Sequence, residues 1–230
     1  MVDVTSLKQQ AAWTAAQLVR SGMVVGLGGG TTAALAVRCI AELVSEGQLR
    51  DIVGIPCSLS VEEEARRLAI PLTSLEEHPV VDLTIDGADE VDPELNLIKG
   101  AGGALLREKI VAQASRREVI VVDESKLSPV LGSRRAVPVE VVPFGHSSQI
   151  AYLELLGARV SIARDATGEP RRTDQGNLLL FCEFGPLAQP HQLAQRLSER
   201  AGIMEHGLFL GFATDVIVAT AEGVRHLVRS

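Results

Sequence analysis

Apolar positions along this chain switch repeatedly between a helical period and short unbroken runs. Over residues 6–21, Leu7, Ala11, Ala15, Leu18 and Val19 fall near one helix face. Residues 23–27 are a short apolar run that predicts a strand, and 33–45 predict a second helix. The alternation continues with a strand at 52–56, a charged helix at 61–68 and an apolar strand at 80–85. A helix at 104–114 and a strong strand at 118–122 follow. Strands alternating with helices at this spacing predict a parallel sheet covered on both faces. Such sheets bind ligands beyond the carboxyl ends of their strands.

The pattern changes after about Ser128. Pro129, Gly132, Pro138, Pro143 and Gly145 punctuate the chain, followed by a helix at 148–156 and a strand at 158–162. Thr173-Asp174-Gln175-Gly176-Asn177 is a turn signal before the apolar run 178–184, and a helix at 190–200 comes next. This stretch reads as a smaller α/β insert with a mostly antiparallel sheet. The final strand, 215–220, is rich enough in Val and Ile to rejoin the first sheet. The expected division is therefore 1–128 plus 207–230 as the main domain and 129–206 as the insert.

Composition narrows the function classes. The 230 residues are 46% apolar, enough to fill a core, and carry a formal charge of -7. That charge offers no basic stripe for a phosphate backbone, so no nucleic-acid partner is expected. No apolar run approaches the ~20 residues that cross a bilayer. MVDVTSLKQQAAW has neither the order of a signal peptide nor the bias of a transit peptide, and a cytoplasmic location is expected. Cys39, Cys57 and Cys182 are scattered and read as free thiols; no His/Cys cluster has metal-ligand spacing, so no metal is expected.

Candidate chemistry is concentrated in residues 85–112, IDGADEVDPELNLIKGAGGALLREKIVA. Asp86 and Asp89 lie in a loop after a strand, Lys99 precedes Gly100-Ala101-Gly102-Gly103, and Glu108 sits early in the next helix. Acid, base and cation among flexible backbone suit proton transfer on a small polar substrate. Each also has a structural reading: a lone loop Asp often makes an Asx turn, and Glu108 between Arg107 and Lys109 fits an ordinary surface triplet. Against the latter, Leu106 and Ile110 suggest a helix anchored on one side. Glu90 and Asp92 read as solvent-facing companions. Lys99 ends a semi-apolar run, so its ammonium is expected to be partly desolvated and able to stabilise an oxyanion.

A second motif, Gly28-Gly29-Gly30-Thr31-Thr32, follows a strand and opens a helix. Glycines let backbone amides approach an anion, and the helix N-terminus adds partial positive charge. The spacing matches neither a nucleotide P-loop nor a dinucleotide fingerprint. A small phosphate monoester fits, with Lys8 and Lys126 as cations; a plain tight turn with two surface lysines also fits. Ser58 and Ser60 either touch substrate or cap the next helix.

GLGGGTTA, DGADEVDPELNLIKGAGGALLREKIVA and VVDESKL at 121–127, in this order, resemble the type A ribose-5-phosphate isomerase family. TDQGN at 173–177 and GLF at 207–209 are similar to that family's insert and final segment. The resemblance implies a Rossmann-like parallel-sheet domain carrying a smaller ferredoxin-like α+β insert. It also implies a cofactor-free aldose–ketose isomerase of the pentose phosphate pathway, usually a homodimer or homotetramer. Its substrate would be a sugar phosphate, ribose 5-phosphate, converted to ribulose 5-phosphate through an enediolate. Glu108 would be the base between C1 and C2, Asp86 would assist ring opening with Asp89 beside it, and Lys99 would stabilise the oxyanion. Lys8, Gly28, Gly29, Gly30, Thr31, Thr32, Gly87, Ala88, Gly100, Ala101, Gly102 and Lys126 would hold the substrate and its phosphate.

The chain departs from the family pattern at three places. Gly29 stands where a threonine is usual and Thr31 where a serine is usual. Cys57-Ser58-Leu59-Ser60-Val61 replaces Thr-Ser-x-x-Thr, losing two hydroxyls. Altered substrate affinity rather than lost activity is the expectation. Two alternatives share the broad fold: a non-catalytic sugar-phosphate sensor, and a deaminase or coenzyme A transferase.

Overall fold

A computed structural model describes residues 4–229, with side chains from residue 7 onward. The chain forms two compact units, one of residues 4–88, 107–126 and 211–229, the other of residues 89–106 and 127–210.

The first unit is built on a six-stranded sheet. Its order is Gly223–Val228, Asp215–Thr220, Glu118–Asp123, Leu83–Asp86, Val24–Leu27 and Val53–Pro56. All neighbours are parallel except the first two. Leu83–Asp86 and Asp215–Thr220 are buried at every position, as strands covered on both faces must be. Helices Val4–Ala16 and Thr31–Ser45 supply Ala11, Ala15, Ala36 and Ile40, which pack on Leu27, Leu83, Ile85 and Val121. A separate cluster of Ile55, Cys57, Val81 and Val111 seats helix Leu105–Ala114.

Two expectations for this unit are corrected. The first helix stops at Ala16 rather than near residue 21: Leu18 and Val19 donate N–H bonds three residues back, to Ala15 and Ala16, so the chain tightens while both side chains keep packing. Asp215–Thr220 is also not the last strand. Gly223–Val228 folds back on it as a hairpin. That edge strand carries exposed Arg225 and His226, which hid it from a hydrophobicity reading.

The second unit contains Val137–Val141, helix His146–Leu155, Arg159–Ile162, Leu178–Glu183, helix Pro190–Ser198 and Ile203–His206. The four strands are antiparallel, and numbered within the unit their order is 4-1-3-2, the ferredoxin-like βαββαβ arrangement. Val137, Val139, Val141, Leu178, Leu180, Cys182, Leu153 and Leu197 form its core. Pro138, read from sequence as loop punctuation, lies in a central strand. It is tolerated because its backbone faces Gly207, just past the end of the paired strand, where its carbonyl accepts the Gly207 N–H at 2.7 Å and no donor is needed from it. A small three-stranded sheet of Leu208–Phe209, Leu97–Ile98 and Glu90–Val91 completes the unit. Two-residue strands are too short to show a period.

Candidate active site

In the first unit the glycine loop leaves the sheet beside Asp86. The Gly28 N–H donates to the Ile85 carbonyl at 2.9 Å. Asp86, fully buried, accepts the N–H of Gly29 at 2.9 Å and of Gly87 at 2.7 Å on one carboxylate oxygen. A Cβ on Gly28 would overlap the Asp86 main chain and carboxylate, and one on Gly87 would stand 2.9 Å from the Gly29 carbonyl. Glycine at these two positions is thus a requirement of close approach. Gly30, at φ +88, caps the 15-residue helix Thr31–Ser45. Thr31 is exposed at the helix mouth and Thr32 is buried. A helix N-terminus that has no side-chain cap and sits behind glycines is suited to an anion.

Glu108 lies in the first turn of helix Leu105–Ala114 and is 7% exposed. Its Oε1 is 3.9 Å from where a Cβ on Gly29 would stand, so the carboxylate faces the glycine turn. The surface-triplet reading fails: Leu105, Glu108 and Ala112 share the buried stripe with Lys109, and Ile110 is the exposed residue at 45%. Leu106 and Ile110 therefore do not mark the anchored side. The helix is anchored by the face that carries Glu108.

Lys8 makes an ion pair with Asp123 at 3.0 Å. Asp123, which ends its strand, also accepts hydrogen bonds from the Ser125 N–H and hydroxyl. Burial works to raise the Asp123 pKa, but the Ser125 bonds and the Lys8 ammonium outweigh it and hold the carboxyl below its ordinary value. Lys126 is half-buried in the 3₁₀ turn Glu124–Lys126 that follows. Ser58 resolves to the structural alternative, capping helix Leu59–Arg67 by accepting the Val61 N–H at 3.1 Å. Cys57 is buried in an apolar cluster.

In the second unit Asp89 donates its N–H to the Ile98 carbonyl at 2.8 Å and accepts the Ala101 N–H at 3.0 Å. Through its backbone N–H and its carboxylate, Asp89 thus holds both sides of the segment that carries Lys99. The Lys99 side chain is 2% exposed, and its Nζ lies 5.5 Å from the ring centroid of Phe209, a cation–π contact. The Lys99 N–H donates to the Gly207 carbonyl at 2.9 Å, and a Cβ on Gly207 would collide with the Lys99 carbonyl. Gly100 and Gly103 both have positive φ and close a turn through a 2.9 Å bond from the Gly103 N–H to the Gly100 carbonyl. Gly87, Ala88 and Ala101 are partly exposed and Gly102 is exposed.

Glu90 is not a solvent-facing companion. It is fully buried and accepts N–H bonds from Gly132, Arg134 and Arg135 at 3.0, 3.2 and 3.1 Å. Asp92 closes a turn by accepting the Glu94 and Asn96 N–H groups. Sequence reasoning thus misread Glu90 and passed over Asp123 and Phe209. The GLF block at 207–209 was the available signal for Phe209, and the charge inside VVDESKL for Asp123. Among the described residues, no group of three His, Cys, Asp or Glu side chains is placed to hold a metal. No helix there is long and apolar enough to cross a membrane.

The parallel sheet, its glycine turn and the buried carboxylate that ends strand Leu83–Asp86 define a Rossmann-like α/β enzyme carrying a ferredoxin-like insert. Residues 53–223 match the model of the family described as ribose 5-phosphate isomerase A (phosphoriboisomerase A). A protein of Chloroflexus aurantiacus named ribose-5-phosphate isomerase A is 59% identical over 97% of this chain and 93% of its own length. One of Desulfatibacillum aliphaticivorans with the same name is 55% identical over 99% of both. Among solved structures, a D-ribose-5-phosphate isomerase in complex with phospho-erythronic acid superposes with a TM-score of 0.96 at 36% identity, covering 99% of this chain and 100% of that one. The ribose 5-phosphate isomerase of Plasmodium falciparum gives 0.94 at 39% identity, covering 98% and 99%. The chain belongs to the ribose 5-phosphate isomerase A family.

Proposed function

We propose that the chain interconverts ribose 5-phosphate and ribulose 5-phosphate by proton transfer between C1 and C2, with Glu108 as the base. The observation that carries the assignment of Glu108 is its burial on a rigid helix with its carboxylate turned toward the glycine loop. A carboxylate so held loses little freedom on meeting substrate, and orientation of this kind lowers the barrier to a proton transfer that is slow in water. In this reading Lys99 stabilises the enediolate oxyanion, as a buried ammonium does more strongly than a solvated one. Asp86 and Asp89 handle the hydroxyl protons during ring opening. They also shape the site, since Asp86 holds the Gly29 and Gly87 amides and Asp89 holds that of Ala101.

The phosphate is assigned to the amides and hydroxyls of Gly28, Gly29, Gly30, Thr31 and Thr32, with Lys8 and Lys126. Gly87, Ala88, Gly100, Ala101 and Gly102 line the sugar. The ligand of the solved relative, phospho-erythronic acid, carries a carboxylate and a phosphate. This is the charge pattern of an enediolate phosphate, which supports a sugar-phosphate substrate here. We extend the reading to a cofactor-free enzyme of the pentose phosphate pathway, working in the cytoplasm as a homodimer or homotetramer.

Conversion of ribose 5-phosphate should proceed in EDTA, and Glu108→Gln should lower kcat by at least ~10²-fold, the scale of a general-base contribution. Near-normal turnover by the variant would remove Glu108 from the mechanism. Tight sugar-phosphate binding without turnover by the wild type would favour a sensor.

A further inference from the structure

The loop after Lys99 contains three glycines in four residues, Gly100-Ala101-Gly102-Gly103, two of them at positive φ. Glycine has the largest backbone freedom to lose, so such a loop does not hold one shape unaided. One end is fastened by Asp89 through the Ala101 amide. The carbonyl side is fastened from 70 residues away in the chain by Arg171. Its Nη2 donates to the Gly102 carbonyl and its Nη1 to the Ala101 carbonyl at 3.5 Å. The guanidinium also lies flat against Gly103, with three of its atoms 3.6–3.7 Å from where a Cβ would stand.

Arg171 is itself held rigidly. Its N–H donates to the Ala163 carbonyl at 2.8 Å, and β-bridges join Arg164 to Pro170 and Arg172 to Leu178 on either side of it. Beyond it, Thr173 and Asn177 of the TDQGN turn both donate to Oε1 of Glu140 at 2.8 Å. Glu140 is fully buried in the central strand Val137–Val141. A buried carboxylate in the insert therefore sets the turn, the turn sets Arg171, and Arg171 sets the glycine loop.

We propose that Arg171 is a positioning residue for catalysis, its guanidinium clamping the Ala101 and Gly102 carbonyls so that Lys99 and the Gly102 N–H at the exposed loop tip keep their places toward substrate. The clamp acts through the peptide unit as well as by restraint. A cation on the Ala101 carbonyl polarises the same peptide's Gly102 N–H into a stronger donor for an anionic oxygen. A planar two-pronged donor suits two adjacent carbonyls, and lysine, a single point donor, replaces it only in part. The kinetic half of the proposal rests on the isomerase reading of the loop; the structural half does not.

The test is amide hydrogen exchange over residues 98–106 beside ribose 5-phosphate isomerisation, for wild type, Arg171→Met, Arg171→Lys and the exposed neighbour control Arg172→Met. Arg171→Met should speed exchange in the loop and lower kcat ~10-fold with a much smaller change in KM, because Lys99 acts on the developing oxyanion. Arg171→Lys should fall between, and Arg172→Met should match wild type in both readouts. In a further variant, Arg171→Ala, which leaves room for the free cation, millimolar guanidinium should restore part of the kcat while leaving the wild type unchanged. Unaltered loop exchange in Arg171→Met overturns the clamp. Faster exchange with kcat within two-fold of wild type overturns its role in catalysis. If the wild type does not isomerise the sugar, the functional reading fails, and exchange alone decides the clamp.

Discussion

Replacing Glu90 by Gln should weaken the protein far more than the loss of one charge on a surface would. The side chain is fully buried. One oxygen accepts the N–H of Gly132 at 3.0 Å and of Arg135 at 3.1 Å, and the other accepts that of Arg134 at 3.2 Å. Glutamine keeps the shape but must put an NH₂ where one oxygen stood. Its better orientation sets the NH₂ against the Arg134 N–H, losing one charge-assisted bond, about 1.5–3 kcal/mol. The two surviving bonds become neutral, at about 1 kcal/mol each of further loss. The sum is about 3.5–5 kcal/mol, a large part of the ~5–15 kcal/mol that holds a typical domain folded. For a chain of this size that corresponds to roughly 10 °C in Tm. Thermal and urea denaturation followed by far-UV circular dichroism would measure it. Because Glu90 belongs to the second unit, that unit's transition should be the one lowered if the two units melt separately. A change below ~1 kcal/mol would mean that residues 132–135 find other acceptors, and would refute the anchoring role.

Two glycines of one loop should behave oppositely. Gly28→Ala drives a Cβ into the Asp86 main chain and should cost about 1–3 kcal/mol together with most activity, whereas a Cβ on Gly29 meets Val61 and Glu108 at ordinary 3.8 and 3.9 Å separations, so Gly29→Ala should change Tm little. Asp215 supplies a pH test. Burial works to raise its pKa, but hydrogen bonds from Arg117 (2.9 and 2.8 Å), Thr214 (2.6 Å) and His226 (2.7 Å) outweigh it and hold the carboxyl well below the usual range. A depressed folded-state pKa stabilises above the unfolded value near 3.9 and is lost as pH falls toward the folded one. Asp215→Asn should therefore cost about 1–2 kcal/mol at pH 7, a figure kept small because Arg117 and His226 are over a third exposed. The gap to wild type should narrow steadily as pH falls below about 4; a gap constant from there down to about pH 2 would contradict the assignment.

Much of this molecule is local in origin. The long apolar runs 118–123 and 215–220 and the helix carrying Ala36 and Ile40 are strands and helix in the structure, because fully buried strands and amphipathic helices write their burial directly into residue order. The glycine turn and the strand-end aspartate were equally legible, since close backbone approach demands glycine and leaves a visible run of it.

What residue order did not carry were contacts made at long range. Nothing near Glu90 announces that its acceptors meet amides 42 to 45 residues away, and nothing near Arg171 announces the carbonyls of residues 101 and 102. The Glu108 helix shows the same limit: two apolar residues pointed to the wrong face, because the true buried stripe includes a carboxylate and a lysine. A polar residue's sequence neighbours reveal its backbone, but its burial depends on which partners the fold delivers to satisfy it. The sequence alone therefore determined the strands, the glycine turns and the inventory of proton-transfer groups. Tertiary structure alone decided which charges are buried, which backbone groups hold them, and which way Glu108 faces.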